Sequence, residues 1–192
     1  MKKVLIGLGI VLVIVFIIAL SLFGWVKNSY NSMVTLDENI NGAWAQVENV
    51  LQRRYDLIPN LVATVKGYAS HESEVLTQVT EARAKVGGAG TPAQRMEAEG
   101  ELSGALSRLM VVVENYPQLK ANQNFIMLQD QLEGTENRIS VERGRYNETV
   151  RLYNTVIRKF PQSIIAGMFN FGKREFFEAA DGAQEAPKVS FE

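Results

Sequence analysis

The sequence predicts an all-α fold: a single N-terminal transmembrane helix followed by an elongated antiparallel bundle of long, coiled-coil-like helices. Three observations carry that reading. The 23 positions from Val4 to Val26 are uncharged and almost wholly apolar. Beyond residue 40, apolar residues recur in alternating steps of four and three, the period of about 3.5 at which a helix presents one narrow seam to a partner. Strand-like alternation of period two is missing throughout.

A helix rises about 1.5 Å per residue and a bilayer core is about 30 Å thick, so about 20 apolar residues suffice to cross it. The run VLIGLGIVLVIVFIIALSLFGWV meets that length. A secretory signal has a shorter apolar region, about 7–15 residues, closed by a small-residue cleavage site. Here Ala19-Leu20-Ser21 is followed by more apolar residues, so residues 1–27 are expected to remain as a membrane anchor. Lys2 and Lys3 precede the run and Lys27 follows it, a bias that puts the N-terminus in the cytoplasm and the rest outside. Trp25 and Tyr30 suit the outer headgroup level, where amphipathic aromatics concentrate.

The first bundle helix is expected over about 30–85. Its seam reads Ile40, Trp44, Val47, Leu51, Ile58, Leu61, Val65, Tyr68, and then Val75, Val79, Ala82, Val86, with Arg54 and Glu72 in the two missing seam positions. Pro59 removes one backbone donor inside this stretch, but the register continues through it, which favours a kink over a break. Gly87-Gly88-Ala89-Gly90 ends the pattern. The next helix, about 92–115, starts on an N-cap at Thr91, a first-turn proline at Pro92 and a capping-box glutamine at Gln94. It turns Met96, Leu102, Leu106, Leu109, Met110 and Val113 inward. A third helix, about 122–160, repeats the three-four rhythm from Phe125 through Leu132, Thr135, Ile139, Tyr146 and Tyr153 to Phe160.

The stretch 163–177, read as a last helix, is different in kind. It gathers Ile164, Ile165, Met168, Phe169, Phe171, Phe176 and Phe177, an aromatic density that the bundle, a second subunit or the lipid surface must cover. These seven form the candidate interaction surface. The tail at 178–192, with its Gly, Ala, Pro and Glu, is expected to be disordered. Residues 28–177 suffice for one domain with its own core and are too few for two.

Composition narrows the chemistry. Without Lys2 and Lys3 the 20 basic residues become 18, against 21 acidic ones, a balance that argues against nucleic acid as a partner. There is no cysteine, which excludes disulfides, thiolate metal sites and a lipoprotein anchor. The single histidine, His71, has Val75 where a second zinc ligand of an HExxH motif would stand. With one histidine, no cysteine and no GxSxG, nucleophilic catalysis has no visible machinery, and the Gly87–Gly90 run lacks the residues of a phosphate loop. No catalytic residue, cofactor or metal is therefore expected. What remains is polar residues set into helix faces: Arg53, Arg54 and Asp56 on the first helix, Glu133, Glu136 and Arg138 on the third. Glu133 with Glu136 could hold a cation or work as an acid-base pair. The favoured reading pairs arginines with carboxylates across a helix interface, as buried charges require.

Two long blocks then resemble the signature of the bacterial LemA family. The first is Val47-Glu48-Asn49-Val50-Leu51-Gln52-Arg53-Arg54-Tyr55-Asp56-Leu57-Ile58-Pro59-Asn60-Leu61-Val62. The second runs from Leu128-Gln129-Asp130-Gln131-Leu132 to Glu136-Asn137-Arg138-Ile139, with Arg145-Tyr146-Asn147, Tyr153-Asn154 and Phe160-Pro161 beyond it. The resemblance covers nearly the whole chain. It implies a small protein of the bacterial inner membrane with long helices, and it supplies no activity; relatives associated with magnetosome membranes point by analogy to membrane organisation. The expected function is a self-associating scaffold at the membrane surface, its partners the lipid bilayer and further copies of itself. The alternative is an adaptor that docks another membrane or envelope protein through 163–177. A metal-dependent hydrolase ranks last.

Overall fold

The computed structural model describes residues 2–177; the expected tail at 178–192 lies outside the described residues. Six helices follow one another, α1 Lys2–Lys66, α2 Ser73–Gly88, α3 Pro92–Val113, α4 Pro117–Lys120, α5 Gln123–Arg158 and α6 Gln162–Met168, with no strand among the described residues. α1 runs unbroken through the Trp25 to Asn31 stretch and through Pro59. Its side chains from Ile6 to Phe23 are all exposed, and it is the one helix among the described residues that is long and apolar enough to cross a membrane.

The expected helix over 30–85 is two helices. α1 stops at Lys66, where Gly67 lowers helix propensity by about 1 kcal/mol, and the Val65 carbonyl takes the Tyr68 and Ala69 amides at 3.0 and 2.8 Å in a turn. α2 then returns along α1: Arg83 Nε donates to the Tyr55 carbonyl at 3.1 Å, and its guanidinium lies 3.7 Å above the Tyr55 ring. At the turn the expected seam slips by one residue: Tyr68 is exposed and Val75 partly buried, whereas Ala69 and Leu76 are buried, and the pattern resumes at Val79 because both arms of a hairpin face the same core. The last helix is likewise shorter than expected. α6 ends at Met168, Asn170 adopts a left-handed conformation (φ 58°), and the Phe171 amide donates back to Ala166 O at 2.9 Å. That 6→1 bond is a Schellman closure, and 171–177 follow it as a strap outside any helix.

The described residues fall into two units. In the larger, 44–147 with 176–177, α2 and α3 lie antiparallel, tied by Lys85–Glu101 and Arg108–Gln78. α1 and α5 run antiparallel too, pairing Tyr68 with Asn122, Arg54 with Glu136 and Trp44 with Tyr146. Between them sit Ile58, Leu61 and Val65 of α1, Val79 and Val86 of α2, Leu102 and Leu109 of α3, Leu119 of α4 and Phe125 of α5, all at or near full burial. Each such side chain contributes about 1.5–3 kcal/mol. Thr91 caps α3 by accepting the Gln94 amide at 3.2 Å, while Gln94 Oε1 takes the amide of Gly90.

The smaller unit comprises 2–43 with 148–175. Met33 and Ile40 of α1, Val150, Tyr153 and Ile157 of α5 and Ile165 and Ala166 of α6 are buried in it.

Candidate functional site

The polar feature of the larger unit is a charge cluster at mid-helix. Arg54 is 6 % exposed, held inside by its place on the α1 seam between Leu51 and Ile58. Its Nη1 stands 2.9 Å from Glu136 of α5 and 3.6 Å from Glu99 of α3. Glu136 opens to water, with 52 % of its side chain exposed, but Glu99 is only 4 % exposed. Neither oxygen of Glu99 accepts a hydrogen bond, and Nε of Arg95, one turn before it on α3, is also buried without a partner. Loss of water therefore dominates at Glu99 and pushes its carboxyl up to about 7, against the pull of Arg54 and Arg95 and with a small push from Glu136.

Arg53, Asp56, Glu133 and Arg138 do not join this cluster. Arg53 and Arg138 are exposed; Asp56 accepts from Gln52 and Glu133 from Gln129 along their own helices. Glu133 and Glu136 thus have separate partners, and no group of three or more His, Cys, Asp or Glu among the described residues is arranged to hold a metal ion. His71 is exposed. The member that sequence reasoning missed is Glu99. Its signal was present: residues 99, 102, 106, 109 and 113 step by three and four, so Glu99 occupies a seam position of α3 just as Arg54 does on α1.

The seven residues of the candidate interaction surface divide. Ile165 and Phe177 are buried and Phe171 partly so, whereas Ile164, Met168, Phe169 and Phe176 are exposed. Two asparagines of α5, seven residues apart, hold the strap as an adjacent β-strand would. In the smaller unit Asn154 Nδ2 donates to Arg174 O at 2.8 Å and its Oδ1 accepts the Arg174 amide at 2.9 Å. Tyr153 Oη donates to Gly172 O at 3.0 Å, and Asp37 takes the Arg174 guanidinium through two 2.9 Å bonds. Burial, and then the Asp37 charge, raise the Tyr153 hydroxyl above its ordinary value. In the larger unit Asn147 makes the same double bond to the Phe177 backbone, at 2.9 and 2.7 Å. Arg143 lies 4.1 Å over the Phe177 ring, and Trp44 packs edge-on to Tyr146.

Within this chain the cluster links α1, α3 and α5, and the asparagines of α5 fix the strap. The family model described as LemA family matches residues 43–191. The magnetosome protein MamQ 2 of Paramagnetospirillum magneticum is 26% identical over 175 residues, covering 78% of this chain and 64% of that protein. The magnetosome protein MamQ of Magnetospirillum gryphiswaldense is 26% identical over 200 residues, covering 89% and 74% respectively. Protein LemA of Metamycoplasma hominis is 21% identical over 171 residues, 88% of this chain and 78% of that one. The chain thus spans a little under two thirds of the MamQ 2 relative. With the family pattern running through both the seam helices and the strap, this chain belongs to the LemA family.

Proposed function

We propose that this chain is a single-pass protein of the bacterial inner membrane, N-terminus in the cytoplasm, whose helical bundle associates with further copies of itself and organises the membrane beneath, with no reaction of its own. The observation that carries the reading is α1. One helix supplies both an exposed apolar segment of spanning length and, from Val47 to Val65, a wall of the buried core. Val111 of α3 and Ile126, Met127 and Val141 of α5 remain exposed on the larger unit, apolar positions that side-by-side association would cover. Closed homo-oligomers are the common form of such association. The magnetosome proteins among the relatives add an analogy toward membrane organisation.

The test is the mass of the full chain extracted into detergent or nanodiscs, preceded by crosslinking in the native membrane. Homo-oligomeric particles, with crosslinks between copies, are expected. Strictly monomeric particles at physiological density overturn the reading, and monomers that carry a different protein favour the adaptor.

A further inference from the structure

Outside the apolar N-terminal segment, the smaller unit gathers its exposed apolar side chains around α6, and the residues that follow α6 reach α1 close to the end of that segment. Arg174 is held at once by Asp37 of α1 and by Asn154 of α5, which levels those two positions. Phe169 and Phe171, just past α6, have ring centroids 4.8 and 5.6 Å from Tyr30, so the turn from α5 into α6 lies on the Tyr30 side of that level. Four residues separate Asn154 from Arg158 at the end of α5, about 6 Å, and seven separate Asp37 from Tyr30, about 10.5 Å along α1. Tyr30 in turn stands four residues, about 6 Å, beyond Val26, inside a headgroup layer about 5–7 Å deep. Cover on α1 begins at the same place, since Gly24, Trp25 and Val26 are partly buried whereas Ile6 to Phe23 are bare.

At this level α6 has two faces. Ile165 and Ala166 are buried, while Ile164 and Met168, four apart on the helix, are 55 and 70 % exposed, and Phe160, in the turn before it, is 80 % exposed. Between Thr149 and Arg174 the chain has five basic residues and no acidic one; Arg158 and Lys159, directly before Phe160, are exposed, as are Lys173 of the strap and Lys27 of α1. Apolar side chains flanked by cations are what an anionic headgroup layer retains, each Lys or Arg adding about 1 kcal/mol.

We infer that Phe160, Ile164 and Met168 insert into the boundary between headgroups and acyl chains, a second membrane contact with a preference for anionic lipid. The inference rests on α1 crossing the bilayer. The occupant is lipid, not a second copy, because Phe169 and Phe171, which follow the face directly, pack on Tyr30, a residue at headgroup depth.

The lack of native cysteine makes the test direct. Met168→Cys, Phe16→Cys and Val111→Cys, all at exposed positions, are each labelled with an environment-sensitive dye in the full chain and reconstituted into vesicles of phosphatidylcholine and phosphatidylglycerol. Quenching by lipids with a nitroxide near the headgroup or at the chain end is then read. The expected result is a blue-shifted dye at 168 quenched by the shallow nitroxide, a dye at 16 quenched by the deep one and an unquenched dye at 111. A dye at 168 that matches the one at 111, while 16 is quenched, overturns this inference and leaves the anchor standing. A blue shift at 168 without lipid quenching also overturns it, assigning the face to a second copy. An unquenched dye at 16 removes the anchor and this contact together.

Discussion

At the scale of single residues, the arginine that interrupts the α1 seam answers two carboxylates in unequal surroundings. Glu136 keeps its water and gives Arg54 a 2.9 Å partner; Glu99 gives up its water for a partner at 3.6 Å and no hydrogen bond. Because the folded state holds the Glu99 proton more tightly than the unfolded chain does, folding takes up a proton between about pH 4.5 and about pH 7. The contribution of Glu99 to stability is therefore best below that window and declines as pH rises through it. Glu99→Gln should unfold later than the parent at pH 8, by about 1–3 kcal/mol, with the gain shrinking below pH 5. Parallel urea titrations of the full chain in detergent read the difference; equal pH slopes in both proteins would sink the account. Arg54 could be recognised from the sequence because a charge broke an apolar register. Glu99 was harder to recognise, since α3 is short and its first turn, Ala93 to Met96, has no regular seam to set the phase.

At the scale of elements, the strap shows how side chains replace a missing strand partner. Asn154 offers a donor and an acceptor at the spacing of one backbone amide, and the Arg174 backbone takes both. Losing two such partly buried bonds costs about 1–3 kcal/mol of local opening energy. Asn154→Ala should thus speed tryptic cutting at Lys173 by about tenfold in the folded protein, because cleavage needs the strap released. An unchanged cutting rate would mean that the strap is held by its aromatic rings alone. The apolar content of 163–177 was legible, but its conformation was not. Two glycines weaken a helix there, and Asn147 and Asn154 give the peptide groups of an extended chain an equally satisfied alternative. Period alone likewise could not separate one helix over 30–85 from a hairpin, since a core between two arms imposes the same seam on each.

At the scale of the whole molecule, α1 is the shared part: 65 residues in one hydrogen-bonded run from Lys2 to Lys66. Hydrogen exchange on the chain in vesicles should show protection without a gap from Ile6 to Val65 apart from the Pro59 position, with Trp25 to Asn31 as slow as their neighbours. Fast exchange confined to 25–31 would divide anchor from bundle. The sequence by itself determined the all-helical class, the long apolar N-terminal segment and most of the seam residues, Tyr68 and Phe160 being exposed instead, because each follows from local length and period, which the chain carries along its own axis. Only the tertiary structure decided that α1 turns back at Gly67, that Glu99 lies beside Arg54, and that the aromatic stretch parts into a short α6 and a strap tied down at Arg174 and Phe177. Those outcomes depend on which distant groups compete for the same buried volume and the same hydrogen bonds, and periodicity along one chain does not carry that information.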